Sequence, residues 1–96
     1  MAKKFGAVEF EVTADLTKLP QKAASALAVI EDKARIGATF KVLAYVGKQL
    51  VNGTNYIFVA EETLSTANFD KHIVLISVNE KDGKFEIAKS SIIRII

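Results

Sequence analysis

Few side chains in this sequence could carry covalent chemistry. There is no cysteine, hence no thiolate nucleophile, no thiolate metal site and no disulfide framework. The one histidine, His72, opens an apolar run, and no serine stands in a G-x-S-x-G setting. Glu61-Glu62 is an acidic pair without partners at metal-ligand spacing, and it reads as a solvated strand end. No metal, no cofactor and no catalysis are expected, so the function must lie in binding. The residues whose types and spacing suit binding are Gln49, Leu50, Val51, Asn52 and Gly53. Asn-Gly between two alternating apolar runs is a strong hairpin signal, because both residues tolerate the positive φ of a two-residue primed turn. A tip of that kind is exposed and already ordered, which keeps the entropic cost of docking low.

Each tip residue has something to offer a partner. Leu50 and Val51 supply apolar contact, Gln49 a side-chain amide, and Gly53 a backbone that a partner can approach closely. A second turn, Asn79-Glu80-Lys81-Asp82-Gly83, ends in Asp-Gly, another primed pair. It holds no aromatic anchor and reads first as a solvated turn. Residues 1–7 show no periodicity and are expected to form a mobile trunk that includes Phe5 and Gly6.

The elements that must position these residues follow from period. Val8-Glu9-Phe10-Glu11-Val12-Thr13 alternates strictly, which predicts a half-buried strand with Val8, Phe10 and Val12 on its buried side. Leu19, Ala23, Ala26, Leu27, Ile30 and Ala34 recur at helical spacing, predicting a helix over 18–36 with Thr17 as its N-cap and Gly37 as its stop. From Thr39 the period changes to that of strands. Phe40, Val42, Ala44 and Val46 should share one face, Leu43 and Tyr45 the other, with Gly47 at a bulge or bend. After the tip come a strand from Tyr56, a turn over 61–70, a strand over 72–78, the second turn and a closing strand over 85–95. The expected fold class is α+β: one long helix wrapped by a four- to five-stranded antiparallel sheet. Hairpins two strands apart turn at the same end of a sheet, so both tips and the trunk should converge there.

The chain as a whole sets limits. Its 96 residues make one domain, half apolar and a quarter charged, with net charge +2. Basic residues are dispersed, so no nucleic acid is expected as a partner. No apolar run approaches the roughly 20 residues of a membrane span, so no membrane partner is expected either. The start lacks the apolar stretch of a signal peptide, which points to the cytoplasm, although a trimmed secretory precursor would read the same. A monomer is expected, with strand exchange between protomers as its route to a dimer.

The octet 49–56, Gln-Leu-Val-Asn-Gly-Thr-Asn-Tyr, fits Gln-x-Val-x-Gly and resembles the inhibitory hairpin of the cystatins, most closely the disulfide-free stefin branch. The element order β–α–β–β–β–β extends this resemblance over nearly the whole chain. It implies a reversible, tight-binding inhibitor of papain-like cysteine proteases, whose trunk and hairpins fill the enzyme's cleft as a wedge. Phe5 would then occupy the apolar second subsite, and Gly6 would bend the trunk away from the nucleophile. Phe5 packing on the sheet is the plain alternative. The second turn departs from the family: stefins commonly carry Pro-His there and secreted cystatins Pro-Trp, where this chain has Asn79, Glu80, Lys81 and Asp82. A rival expectation is a cystatin-fold interaction module that does not inhibit proteases.

Overall fold

The computed structural model describes residues 7–32, 38–65, 68, 70–87 and 91–96. Its two central strands, β3 (Gly53–Leu64) and β4 (Lys71–Lys81), hold the densest runs of β-branched and aromatic residues. β2 (Ala38–Val51) pairs with β3 along its whole length, and β1 (Val8–Thr13) pairs with the far edge of β2. Two short strands, β5 (Lys84–Glu86) and β6 (Ile92–Arg94), lie along the other edge of β4. All pairings are antiparallel, and the sheet runs β1-β2-β3-β4-β5 in chain order with β6 beside β4. With the helix α1 (Gln21–Asp32) this is an α+β fold.

Six strands occur among the described residues where four or five were expected. The expected closing strand over 85–95 is in fact two. From Glu86 to Ile92 the chain takes six steps, while their partners Asn79 and Ile76 on β4 are three apart, so no single continuous strand satisfies both pairings. β3 and β4 also run longer than expected. Residues 61–64 belong to β3 and residues 79–81 to β4, which leaves only Asp82 and Gly83 for the second turn.

α1 covers one face of the sheet. Ala23, Ala26 and Ile30 close a core with Tyr45, Tyr56, Phe58, Ala60, Val74, Ile76 and Val78, and Leu19 and Leu27 pack at its margin. Ala23 and Ala26 have no exposed surface, so the absence of bulk lets the helix backbone lie close to the strands. The apolar stripe is the one its spacing predicts, with Ala34 and Gly37 outside the described residues. The start differs. The Pro20 carbonyl accepts the Ala24 N–H at 2.9 Å, which makes Pro20 the first carbonyl of the helix. Thr17 is not the N-cap: its N–H and its hydroxyl both donate to Asp15 Oδ1, at 3.1 and 2.5 Å, in an Asx turn ahead of the helix.

β2 does not keep strict alternation. Its ladder with β3 slips between Val42 and Ala44 and again between Tyr45 and Gly47. Each slip is a bulge, and a bulge moves every following side chain to the opposite face. Tyr45, expected on the outer side, is therefore 1 % exposed in the core. Its ring centroid lies 5.2 Å from that of Phe58 and its hydroxyl donates to Glu11 Oε1 at 3.2 Å. Gly47 sits at the second bulge, as expected. A Cβ there would fall 2.1 Å from the Glu9 carbonyl oxygen, so β1 can lie this close only against glycine.

β1 is turned over relative to expectation. Glu9 pairs with Lys48, which is in register with Tyr56, and Glu11 meets Tyr45, so the acidic side of β1 faces the helix side of the sheet. Phe10 and Val12 are 73 % and 68 % exposed. The Tyr45 hydroxyl is what draws the charges inward: a buried phenol needs a partner, and Glu11 provides it. The Glu61-Glu62 pair is not a solvated strand end either. Glu62 lies in β3 on the helix side, nearly buried, with Arg94 Nη2 at 3.3 Å, and Glu61 pairs with Lys71 at 3.7 Å.

Candidate functional site

Three registers assemble the candidate surface. Leu50 pairs with Thr54 and Val51 with Gly53, so Asn52 is the apex of the β2–β3 hairpin. Thr54 pairs with Glu80 and Lys81 with Lys84, which sets the β4–β5 turn at the same end of the sheet. Val8 pairs with Gln49, so β1 also enters at this end. Phe5 and Gly6 lie outside the described residues. The chain that follows them, from Ala7, emerges beside the first tip.

The first tip is not the two-residue primed turn its letters predict. That turn requires positive φ at both central residues, and here Gly53 has φ +92° while Asn52 does not share it. The register is centred on Asn52 and gives a three-residue tip with glycine in its last place, the other common way to close a hairpin. The bare Cα of Gly53 faces inward: a Cβ would meet the Glu80 carbonyl oxygen at 2.3 Å. Asn79 holds the tip from below, donating its Nδ2 to the Asn52 carbonyl at 3.2 Å and to Asn55 Oδ1 at 2.9 Å.

The second tip is a primed turn as expected, with Asp82 at φ +54° and Gly83 at +81°. Its organiser is Glu80. One carboxylate oxygen accepts the Gly83 N–H at 2.9 Å and the other accepts Lys22 Nζ at 3.1 Å, which ties the turn to the first turn of α1. The Gly83 N–H above all, and then Lys22, hold the Glu80 carboxyl below its ordinary pKa. The same contact holds the Lys22 ammonium above its own. Glu80 is nearly buried and turned to this internal work, whereas Lys81 and Asp82 are exposed.

The surface so formed offers apolar contact at its centre and mixed charge at one flank. Leu50 is 39 % exposed and lines a recess of about 80 Å³ with Glu9, Lys48, Thr54 and Tyr56 on the helix side. Asn79, Lys81, Asp82, Lys84 and Glu86 line an open groove of about 250 Å³ on the other side. Val51 and Gln49 are half-buried and Asn52 is exposed. His72 is far from all of them, in register with Glu62 at the other end of the sheet. Among the described residues no group of three metal-ligating side chains comes together.

Sequence reasoning grouped the two tips correctly and missed what braces them. The Asn55–Asn79 clasp had a usable signal: once the two hairpins are set in antiparallel register, these two amides fall directly opposite each other. The Glu80–Lys22 contact had none, because 58 residues separate the partners. Compared with known proteins, the chain matches no family model, no curated protein and no solved structure. No helix among the described residues is long and apolar enough to cross a membrane.

Proposed function

We propose that this protein is a reversible, tight-binding inhibitor of papain-like cysteine proteases, with a stefin-like fold. It occludes the enzyme's cleft with the trunk that carries Phe5 and Gly6 and with residues 49–53. The single observation that carries this reading is the pairing of Val8 with Gln49, which starts the trunk beside the first hairpin tip. A narrow apex with no nucleophile, apolar at Leu50 and Val51 and braced by Asn79, suits occlusion of a groove and not chemistry within it. Bracing matters because a preordered tip loses little entropy on docking.

Titration of papain with the full chain tests the proposal. Stoichiometric loss of activity that returns on dilution, and that weakens when residues 1–6 are removed, is the expected result. Full papain activity at about 10 µM protein, a concentration that would reveal even a weak complex, overturns it. The second reading, a module of the same fold that binds other proteins and spares proteases, draws on the second tip. Lys81 and Asp82 there are exposed and charged, Glu80 is turned inward, and no aromatic anchor is present.

A further inference from the structure

Each hairpin tip carries an amide or acid side chain immediately before a glycine: Asn52-Gly53 at the first and Asp82-Gly83 at the second. Such pairs are prone to ring closure, in which the glycine main-chain nitrogen attacks the preceding side-chain carbonyl carbon. Glycine favours it because no Cβ hinders the approach. The fold treats the two pairs differently. At the second tip the Gly83 N–H donates to Glu80 Oε2 at 2.9 Å. That bond occupies the nitrogen, and the charge of the carboxylate opposes loss of its proton. At the first tip the contact falls on the other end of the peptide: Asn79 Nδ2 donates to the Asn52 carbonyl oxygen at 3.2 Å. A donor on a peptide oxygen draws electron density from the nitrogen of the same peptide, which makes the Gly53 N–H easier to deprotonate. Asn52 is exposed, so its side chain can turn towards that nitrogen without disturbing the core. The other asparagines, Asn55, Asn68 and Asn79, precede Tyr56, Phe69 and Glu80, all of which carry a Cβ.

We propose that Asn52 is a site of spontaneous deamidation, a slow covalent change that remakes the apex of the first tip. The Gly53 nitrogen loses its proton and attacks Asn52 Cγ. The N–Cγ bond forms as the Cγ–Nδ2 bond breaks, and Nδ2 leaves with the proton as ammonia. A cyclic succinimide remains, with nothing oxidised or reduced. One water then opens the ring, at Cγ to leave aspartate or at the main-chain carbonyl carbon to leave isoaspartate. Either product puts a negative charge at the apex. Isoaspartate also routes the main chain through the side-chain carbon, which lengthens the tip and moves the carbonyl that Asn79 holds. The consequence for inhibition rests on the protease reading above: a water-excluding cleft accepts the new charge poorly.

Incubation of the full chain for about 30 days at about pH 7.5 and about 37 °C, followed by peptide mapping with mass spectrometry, tests the proposal. Expected are a mass gain of about 1 Da and isoaspartate at position 52, formed at least about tenfold faster than isoaspartate at position 82. Asn52→Gln, whose longer side chain must close a larger ring, should abolish the gain. Glu80→Ala frees the Gly83 N–H and should raise isoaspartate at position 82. Papain titrated with fresh and with converted chain should show inhibition weakened about tenfold by conversion, and fresh Asn52→Asp should match the aspartate form. An intact Asn52 after that time, or equal rates at positions 52 and 82, overturns the proposal. A fresh chain that spares papain overturns the protease reading alone, because the mass readout decides the conversion without papain.

Discussion

The side-chain amide of Asn79 donates to the main-chain carbonyl of Asn52 across 3.2 Å, so the apex of one hairpin is fastened to the strand that leads into the other. The same amide reaches Asn55 at 2.9 Å. Asn79→Ala removes both bonds and is expected to cost about 1–2 kcal/mol of stability, because the Asn55 side chain and the Asn52 carbonyl lose a partner together. Urea unfolding measures it. Asn79→Asp keeps the shape and loses the donor, so it should cost at least as much.

The two turn glycines should respond differently to alanine. At Gly53 a Cβ would strike the Glu80 carbonyl and the backbone is at φ +92°, so the tip has to move. Gly53→Ala is expected to cost about 3 kcal/mol. At Gly83 nothing lies within 4 Å of the added atom, and only the φ of +81° resists it. Gly83→Ala should therefore cost about 1 kcal/mol. Equal costs in urea unfolding would contradict the inward orientation of Gly53.

Acid should loosen the second tip first. Glu80 has a lowered carboxyl pKa in the folded protein, because the Gly83 N–H and Lys22 both favour its ionised form. The stability this confers is complete above the unfolded carboxyl value and is lost as pH falls through the lowered folded one. Unfolding midpoints followed from about pH 6 to pH 2 should fall more steeply for the natural chain than for Glu80→Gln, which has no proton to take up there. The raised Lys22 value works at the other limit, where its contribution disappears as pH climbs through the folded value. Lys22→Met should flatten that alkaline limb.

The bulges in β2 separate two residues that simple alternation treats alike. Tyr45 is buried against Phe58 and Leu43 is 39 % exposed. Tyr45→Ala is expected to cost about 3 kcal/mol or more, and Leu43→Ala under about 1 kcal/mol. Strict alternation across residues 40–46 does not by itself distinguish them, since it puts both on the outer face.

How far the fold was legible depended on the range of the forces involved. The α1 stripe, the bulge at Gly47 and the Asp82-Gly83 turn are local, set by period or by one residue's φ, and each was readable. Tyr45 was misplaced because the first bulge, between Val42 and Ala44, has no glycine to mark it and arises only from how the two strands register. β1 was read inside out for a related reason: its charges turn inward to meet the Tyr45 hydroxyl, a partner 34 residues away from Glu11. At the candidate site, the shared end of both turns was visible in the sequence. The inward duties of Gly53 and Glu80 were not, because they arise only once β4 lies under the first tip.

Substitutions at the apex separate the proposed wedge from a plain structural hairpin. Val51 is half-buried at the tip beside the exposed Asn52, so Val51→Asp alters the apex while leaving the Asn79 clasp in place. In a desolvated cleft the new charge should weaken papain inhibition by about tenfold to a hundredfold, while the urea midpoint moves little. Removal of residues 1–6 should weaken it independently, and the two losses should add, since the trunk and the tip would fill different parts of the groove. Lys81→Ala gives the opposite control. Its side chain is exposed, so whatever it contributes should be small and should fade as salt shortens the reach of its charge. A Lys81→Ala effect larger than that of Val51→Asp would move the centre of binding to the second tip and favour the interaction-module reading over the protease wedge.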